Sequence, residues 1–349
     1  MRSGVLALAS MLALALPAAA RPVPEAIGVF GAEEAAEEIL LRGTTDLVLF
    51  EPVLDAFLAT APQLRIRYEQ WASDDLYDAA AAACRGEFPS ADLLISSSID
   101  QHVKLVNDGC ARPYRSAATA ALPPEANWRD EVFGVTSEPA VMVYNRDLVP
   151  DALAPRSRFD LLDLLRPADT RFAGRVATYD IEASGLGYLF AFADSQQATT
   201  FGSLIEAFGR TGAVATCCSA EIIDAVASGE FLIAYNVLGS YALARAAEDS
   251  RIGVVAPEEY TLVLARGAMI PRQAQHPEAA GALIDFLLSE PGREALVDAH
   301  LILDVAALLP DADDSLLRPI PLSPVLLVGL DQQKRAGFLA LWRETFPRE

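Results

Sequence analysis

Apolar and polar positions along the chain fall into short blocks that alternate between two periods. Glu38 to Leu41 reads as a strand, and Leu47 to Leu58 reads as a helix, with Phe50, Val53, Leu54 and Phe57 on one face. Leu64 to Tyr68 alternates as a second strand. The pattern then repeats: a helix capped by Ser73 and running to about Cys84, a buried strand Asp92 to Ile95, and a helix Asp100 to Asn107 stopped by Gly109. Val132 to Thr136 and Val141 to Asn145 are strand-like on either side of Ser137-Glu138-Pro139.

A polar passage holding Pro150, Pro155 and Pro167 precedes a second set of units. These are strand Arg175 to Tyr179, a helix from Leu186, helix Thr199 to Gly209, strand Ala213 to Thr216, helix Ala220 to Ala227, strand Phe231 to Tyr235 and a helix from Ser240. Ile252 to Ala256 and Tyr260 to Ala265 read as a strand-rich return path. Pro277 to Leu288, Pro291 to Ala299 and Gln332 to Phe346 read as helices packing back on the first unit. Strands alternating with helices predict an α/β protein of two lobes, each a mostly parallel sheet flanked by helices. Residues 21–138 and 258–349 form lobe one, and 139–257 form lobe two.

The first twenty residues follow a different pattern. Arg2, an apolar run from Val5 to Leu16 and the small residues Pro17-Ala18-Ala19-Ala20 predict an export signal cleaved near Ala20. The run is shorter than the roughly 20 residues of a membrane-spanning helix. The expected location is the periplasm, with the remaining chain soluble; no cysteine follows the cleavage region, so no lipid anchor is expected.

Composition narrows the partners. Hydrophobic residues make up 52% of the chain and charged residues 21%, as in a well-packed globular protein, and the net charge is −21. So acidic a surface, with Lys and Arg scattered, repels nucleic acid. Four cysteines in an exported chain permit disulfides without requiring them. Cys84 and Cys110 fit a bridge contributing about 3 kcal/mol, and equally two buried thiols. Adjacent Cys217 and Cys218 bridge only through a strained link.

Catalytic patterns are missing. The three histidines, His102, His276 and His300, lie on or beside predicted helices away from any nucleophile elbow, and no HExxH, Cys-x-x-Cys or phosphate-loop segment occurs. Gly185-Leu186-Gly187 begins a dinucleotide-like pattern, but Phe190 holds its third glycine position. The chain reads as a binding protein, not an enzyme, with no cofactor and no resident metal.

Four strand-to-helix turns carry small hydroxyl or acidic residues: Thr44-Thr45-Asp46, Ser96-Ser97-Ser98, Asp180 to Gly185 with Ser184, and Cys217-Cys218-Ser219. In open α/β sheets such turns bind ligands, because the amides of helix N-termini favour anions. Each turn taken singly is also what plain helix capping produces. Two turns belong to each lobe, so a cleft between the lobes would be rimmed from both sides. Tyr235-Asn236 reads either as a phenol and amide facing that cleft or as a core residue followed by a turn residue.

Three stretches, SSSIDQHVKLVNDG at Ser96 to Gly109, SGEFLIAYNVLGSYAL at Ser228 to Leu243 and HPEAAGALIDFLLSEPGRE at His276 to Glu294, resemble the type 2 periplasmic solute-binding proteins of ABC transporters. The likeness is to the branch of ferric-ion, hexose-phosphate and phosphoglycerate binders. It implies a monomeric clamp, joined by two crossover strands, that closes on a small oxyanionic ligand such as a phosphorylated sugar and presents it to an ABC permease or to a sensor kinase. Carried over by position, the cleft residues are Thr44, Thr45, Asp46, Ser97, Ser98, Ser137, Glu138, Asp180, Ser184, Gly185, Ser219, Tyr235 and Asn236, with a hinge near Thr136 to Val141 and Val254 to Leu264. Ferric binders of this branch commonly pair two tyrosines; Asn236 stands at the second position, which tells against iron. Cys217-Cys218 stands where hydroxyl residues are expected.

Overall fold

A computed structural model describes residues 22–167, 169–197, 200–303 and 316–346. The predicted export signal lies outside these residues, as does Thr199. Among the described residues no helix is long and apolar enough to cross a membrane.

The first sheet is built from β1 (Ala26–Phe30), β2 (Glu37–Gly43), β3 (Leu64–Gln70), β4 (Leu93–Ser96), β5 (Asn127–Trp128) and β6 (Val132–Gly134). Between them run α1 (Leu47–Thr60), α2 (Ser73–Cys84), α3 (Ile99–Asn107) and the short α4 (Ala117–Ala120). β2 pairs in parallel with β3 and β4, as the alternation of strands and helices predicts. The apolar face of α1, Phe50, Val53, Leu54, Phe57 and Leu58, packs on Ile39, Leu41 and Ile66 of that sheet. β1, which carried no clear strand signal, lies antiparallel on the outer edge of β3. Its Gly28 leaves room for Leu47, since a Cβ there would sit 2.6 Å from the Leu47 Cδ1.

The second sheet takes β7 (Glu138–Asn145), β8 (Val176–Tyr179), β9 (Val214–Thr216), β10 (Ile233–Leu238), β11 (Ile252–Val255) and β12 (Thr261–Leu264). Its helices are α5 (Arg158–Leu165), α6 (Gly185–Gln197), α7 (Thr200–Thr211), α8 (Ser219–Ser228) and α9 (Gly239–Glu248). β13 (Gly267–Met269) then returns to the first sheet between β4 and β6, and is followed by α10 (Pro277–Leu288) and α11 (Glu290–Asp298). β14 (Leu317–Pro319) joins the second sheet beside β12, and α12 (Leu327–Leu330) and α13 (Gln332–Thr345) end the described chain. Strand order is β1-β3-β2-β4-β13-β6-β5 in one sheet and β14-β12-β7-β10-β8-β9 in the other, with β11 also on β7.

Both sheets are mixed rather than mostly parallel. Two of the strands that arrive by crossing between lobes, β7 and β13, run antiparallel to their neighbours, while β14 joins β12 in parallel. β7 and β13 are not products of a strand-helix-strand step, so nothing imposes parallel pairing on them.

The chain passes between sheets at residues 135–137 and at 265–266, the latter just beyond the expected hinge span Val254 to Leu264, and a third crossing returns it to the second sheet at β14. The first two links are stitched together. The Val135 amide donates to the Arg266 carbonyl at 2.9 Å, and the Arg266 amide donates to Thr136 Oγ1 at 2.8 Å. The Arg266 guanidinium holds the Glu138 carboxylate at 2.8 and 3.1 Å, with both side chains fully buried.

The expectation that all of residues 258–349 belong to lobe one is corrected: β12 and β14 pair in the second sheet, and the last helix packs on lobe two. α13 lies on α7 of the second lobe, where Trp342 enters that lobe's core, Phe338 stacks on Phe201 and Arg343 pairs with Glu182. The amphipathic pattern of α13 fixes which face is buried but carries no information about which lobe covers it.

Both cysteine pairs are bridged. Cys84, at the end of α2, joins Cys110, just beyond α3, with an S–S distance of 2.08 Å, and Cys217 joins Cys218.

Candidate functional site

A cavity of about 270 Å³ lies between the lobes. Lobe one supplies Glu25, Thr44, Asp46, Gln70, Trp71, Ala72, Ser73 and Ser97; lobe two supplies Tyr179, Ala183, Ser184, Leu186, Cys217, Cys218, Ser219, Ala220, Glu221, Leu238 and Tyr241. The lining holds three carboxylates and no Lys, Arg or His.

Five helices begin on this cavity: α1 and α2 from lobe one and α6, α8 and α9 from lobe two. The first amides of any helix have no partner within it. At α1, α2, α8 and α9 the side chain of the N-cap residue makes no capping bond to them. Of the helices that begin elsewhere, α4, α5, α11 and α13 are capped by a serine or aspartate oxygen, whereas α3, α10 and α12 are not. At α1 the first amide is taken by Gln70 Oε1 at 2.8 Å. At α2 and α8 the N-cap residues are Ala72 and the disulfide-bonded Cys218, neither of which offers a capping oxygen. One open helix end from each lobe therefore faces the same space.

The lobes also touch across it. The Gly185 amide, first in α6, donates to Ser73 Oγ, first in α2, at 2.9 Å. Tyr241 reaches from α9 to Asp46, accepting from its amide at 3.0 Å and donating to its carboxylate at 2.9 Å. Burial raises the Tyr241 phenol well above its ordinary range, so it remains a donor. Burial likewise pushes Tyr179 up to about 12, and its hydroxyl lies 2.5 Å from that of Ser219.

Of the residues named from the sequence, Thr44, Asp46, Ser97, Ser184 and Ser219 line the cavity. Thr44 Oγ1 accepts from the Ser97 amide at 2.9 Å and lies 3.1 Å from the Ser97 hydroxyl, which locks the two turns together. Thr45 and Ser98, one residue along in each turn, are buried outside the lining. Successive residues of a tight turn point in different directions, and the sequence pattern does not show which faces out. Ser137 sits at the crossover, where its backbone bonds Leu301 and Leu303. Glu138 is the buried partner of Arg266, Thr136 and Ser240. Asp180 caps its own turn by accepting from the Glu182 amide at 2.9 Å.

Tyr235 and Asn236 lie outside the cavity lining. The strand continues through them to Leu238 as β10, with a bulge between Ala234 and Val237 and Asn236 at φ 63°. Tyr235 is buried in the core of lobe two, donating to Asp194 and accepting from Arg158 at 2.7 Å. Trp71 was missed, and Ser73, read only as the cap of its helix, is instead the first residue inside α2 behind N-cap Ala72. Both follow β3 as Thr44 follows β2, and the signal was the strand-to-helix turn itself. Arg266 had no local signal, since its role depends on a partner 128 residues earlier.

Among the described residues, no group of three His, Cys, Asp or Glu side chains is arranged to hold a metal ion.

The sequence profile described as Bacterial extracellular solute-binding protein matches residues 88–326. No protein of curated function matches the chain in sequence. Among solved structures, the substrate binding protein of the ABC transporter from Agrobacterium tumefaciens is 31% identical, with TM-score 0.86, covering 94% of this chain and all of that one. The periplasmic binding protein AfuA from Actinobacillus pleuropneumoniae, with fructose-6-phosphate bound, is 16% identical with TM-score 0.69 over 90% of this chain and 100% of that one. Iron-bound HitA from Pseudomonas aeruginosa is 19% identical with TM-score 0.63 over 88% and 99%. The last two likenesses are of fold alone. With the profile spanning most of its length and a relative of that identity aligned over nearly all of it, the chain belongs to the bacterial extracellular solute-binding proteins.

Proposed function

We propose that this protein captures a small oxyanionic ligand, a phosphorylated sugar or similar organophosphate, in the interlobe cavity and delivers it to an ABC permease. The observation that carries the reading is the pair of open helix ends, α2 behind Ala72 and α8 behind Cys218, meeting on one cavity. Amides at a helix N-terminus stabilise an anion by about 0.3 to 2 kcal/mol per helix end, and their reach is short enough to act inside the screening length despite the net charge of −21. Thr44, Ser97, Ser184 and Ser219 add hydroxyl donors. Asp46, Glu25 and Glu221 suit the other end of such a ligand, accepting from sugar hydroxyls. The Agrobacterium relative supports the transport role, and the sugar phosphate in AfuA fits the ligand class.

In this reading Ser98, Gly185 and Tyr241 serve closure rather than ligand contact, and the stitched crossovers at 135–137 and 265–266 form the hinge. Ligand selects the closed state because only there do both open helix ends reach it. Ferric ion fits less well: the wall phenols, Tyr179 and Tyr241, are held protonated by burial and already hydrogen-bonded, and Tyr235 is committed to Asp194 and Arg158.

The test is a thermal-shift and calorimetric comparison of fructose 6-phosphate, glucose 6-phosphate, 3-phosphoglycerate, ferric citrate and amino acids. A cleft ligand raises the melting temperature by mass action. The expected result is binding of a phosphorylated compound near 1 μM, about 8 kcal/mol. Binding of ferric citrate or an amino acid in preference to every phosphorylated compound would overturn the reading.

A further inference from the structure

The wall that lobe two presents to the cavity includes an unusual element, the disulfide between adjacent Cys217 and Cys218. Two observations make it more than a crosslink. First, Cys218 is the N-cap residue of α8, with φ 66°, and makes no capping bond. Serine, threonine, aspartate or asparagine, the residues that favour this position, would turn an oxygen onto the first amides of the helix and compete with any ligand for them. A disulfide sulfur accepts hydrogen bonds only weakly. Second, both cysteines face the cavity, and joining their Cβ atoms through two sulfurs removes the rotamer freedom that would otherwise be lost on ligand binding. Beside them Ser219 is tied to Tyr179, whose hydroxyl also receives the Leu238 amide at 3.3 Å, so the surrounding wall is itself braced.

We propose that the Cys217–Cys218 disulfide is a specificity element: it leaves the α8 amides open for the oxyanion and packs its apolar sulfur face against the carbon skeleton attached to that oxyanion. The ligand class follows. A phosphate carrying a carbon chain or ring gains from this wall, and inorganic phosphate does not. The proposal rests on the cavity being the ligand site as argued above, and the test separates the two.

Two double variants divide the two roles. Cys217→Ala with Cys218→Ala removes the sulfurs but adds no oxygen, so it is expected to weaken fructose 6-phosphate at least tenfold while changing inorganic phosphate less than twofold. Cys217→Ser with Cys218→Ser supplies a capping hydroxyl and is expected to weaken both probes. Fructose 6-phosphate binding to the alanine pair with parental affinity overturns the proposal. If instead ferric citrate or an amino acid is the compound that raises the parental melting temperature, the oxyanion reading falls, and the alanine pair is titrated with that compound; a tenfold loss sustains the sulfur wall and parental affinity removes it.

A measurement on the unaltered chain covers the case in which a variant folds poorly. Dithiothreitol transfers two electrons and two protons to the disulfide, giving two thiols as the reagent closes to its own cyclic disulfide. Alkylation and peptide mass spectrometry then report each pair separately. Bound fructose 6-phosphate is expected to slow reduction of Cys217–Cys218 at least fivefold and to leave Cys84–Cys110 unchanged. Equal rates for Cys217–Cys218 with and without bound compound would overturn the proposal.

Discussion

The Tyr241 hydroxyl and Asp46 form a two-way contact across the cleft: the phenol oxygen accepts from the Asp46 amide and donates to the Asp46 carboxylate. The pair joins the first turn of α9 to the start of α1, so it exists only when the lobes are together. Tyr241→Phe keeps the ring and removes both bonds. A hydrogen bond to a charged group is worth about 1.5 to 3 kcal/mol, so ligand affinity is expected to fall roughly tenfold to a hundredfold. Calorimetry measures the affinity and urea unfolding without ligand checks that the lobes remain intact; an unchanged affinity would show that closure does not depend on this contact.

Gly185 sits in a close seam between the lobes. A Cβ on it would lie 2.7 Å from Ser98 Oγ, 2.7 Å from Gln101 Nε2 and 2.8 Å from Asp74 Oδ1, all on lobe one. Gly185→Ala is therefore expected to hold the lobes apart without harming either, because alanine suits the start of a helix sterically within its own lobe. Small-angle scattering should show a larger radius of gyration in the presence of ligand than for the parent, with affinity reduced at least tenfold. A variant that closes like the parent would mean the seam has slack that the distances deny.

These two contacts show where sequence reasoning stops. The βα units were legible because their periods are local: Ile39 and Leu41 alternate on β2, and Phe50, Val53, Leu54 and Phe57 recur on α1. The turns holding Thr44, Ser97, Ser184 and Ser219 were legible because strand-to-helix turns bind ligands for reasons of backbone geometry. Thr45 and Ser98 were named alongside Thr44 and Ser97 because a turn's sequence does not say which of two neighbours faces the cavity. Tyr235 was placed at a strand end because its bulge with Asn236 leaves no compositional trace; only the register against β7 reveals it. Arg266 and Tyr241 act through partners 128 and 195 residues away, a separation no periodicity encodes.

The crossover pair Arg266–Glu138 offers a third test. Glu138 accepts from Arg266, Thr136 and Ser240, and both charges are sealed from water. Removing one partner leaves a buried charge, which costs about 3 to 5 kcal/mol. Arg266→Met is expected to destabilise by that amount in urea unfolding, and adding Glu138→Leu to recover at least half of the loss, since an apolar pair has no charge to desolvate. A double variant no more stable than Arg266→Met would show that Thr136 and Ser240, left without their acceptor, matter more than the charge.

Two neighbouring groups on α3 give opposite pH dependences. Burial, with a further contribution from the Asp74 charge, pushes the Asp100 carboxyl from its ordinary 3.8 up to about 7, against the pull of the Gln101 amide and Arg335. Its stabilising effect is complete below about pH 4 and is lost as pH rises through 7, because the folded chain keeps a proton that the unfolded chain releases. Burial lowers His102 from 6.5 to about 4. Its effect is complete above 6.5 and is lost as pH falls through 4, because the unfolded chain takes up a proton that the folded chain refuses. Between about pH 4 and 6.5 the two slopes oppose each other and flatten the parental profile. Asp100→Asn removes the first alone. It is expected to be more stable than the parent at pH 8, on the order of 2 to 4 kcal/mol, and to lose that advantage on acidification toward pH 4.5 while His102 goes on destabilising. Urea unfolding at pH 4.5, 6 and 8 measures both, and comparing variant with parent cancels the other carboxyls raised by burial, Asp74 and Asp78. Parallel stability profiles for the two proteins would mean that Asp100 is ionised in the folded chain across this range, and that water or a cation reaches it at the start of α3.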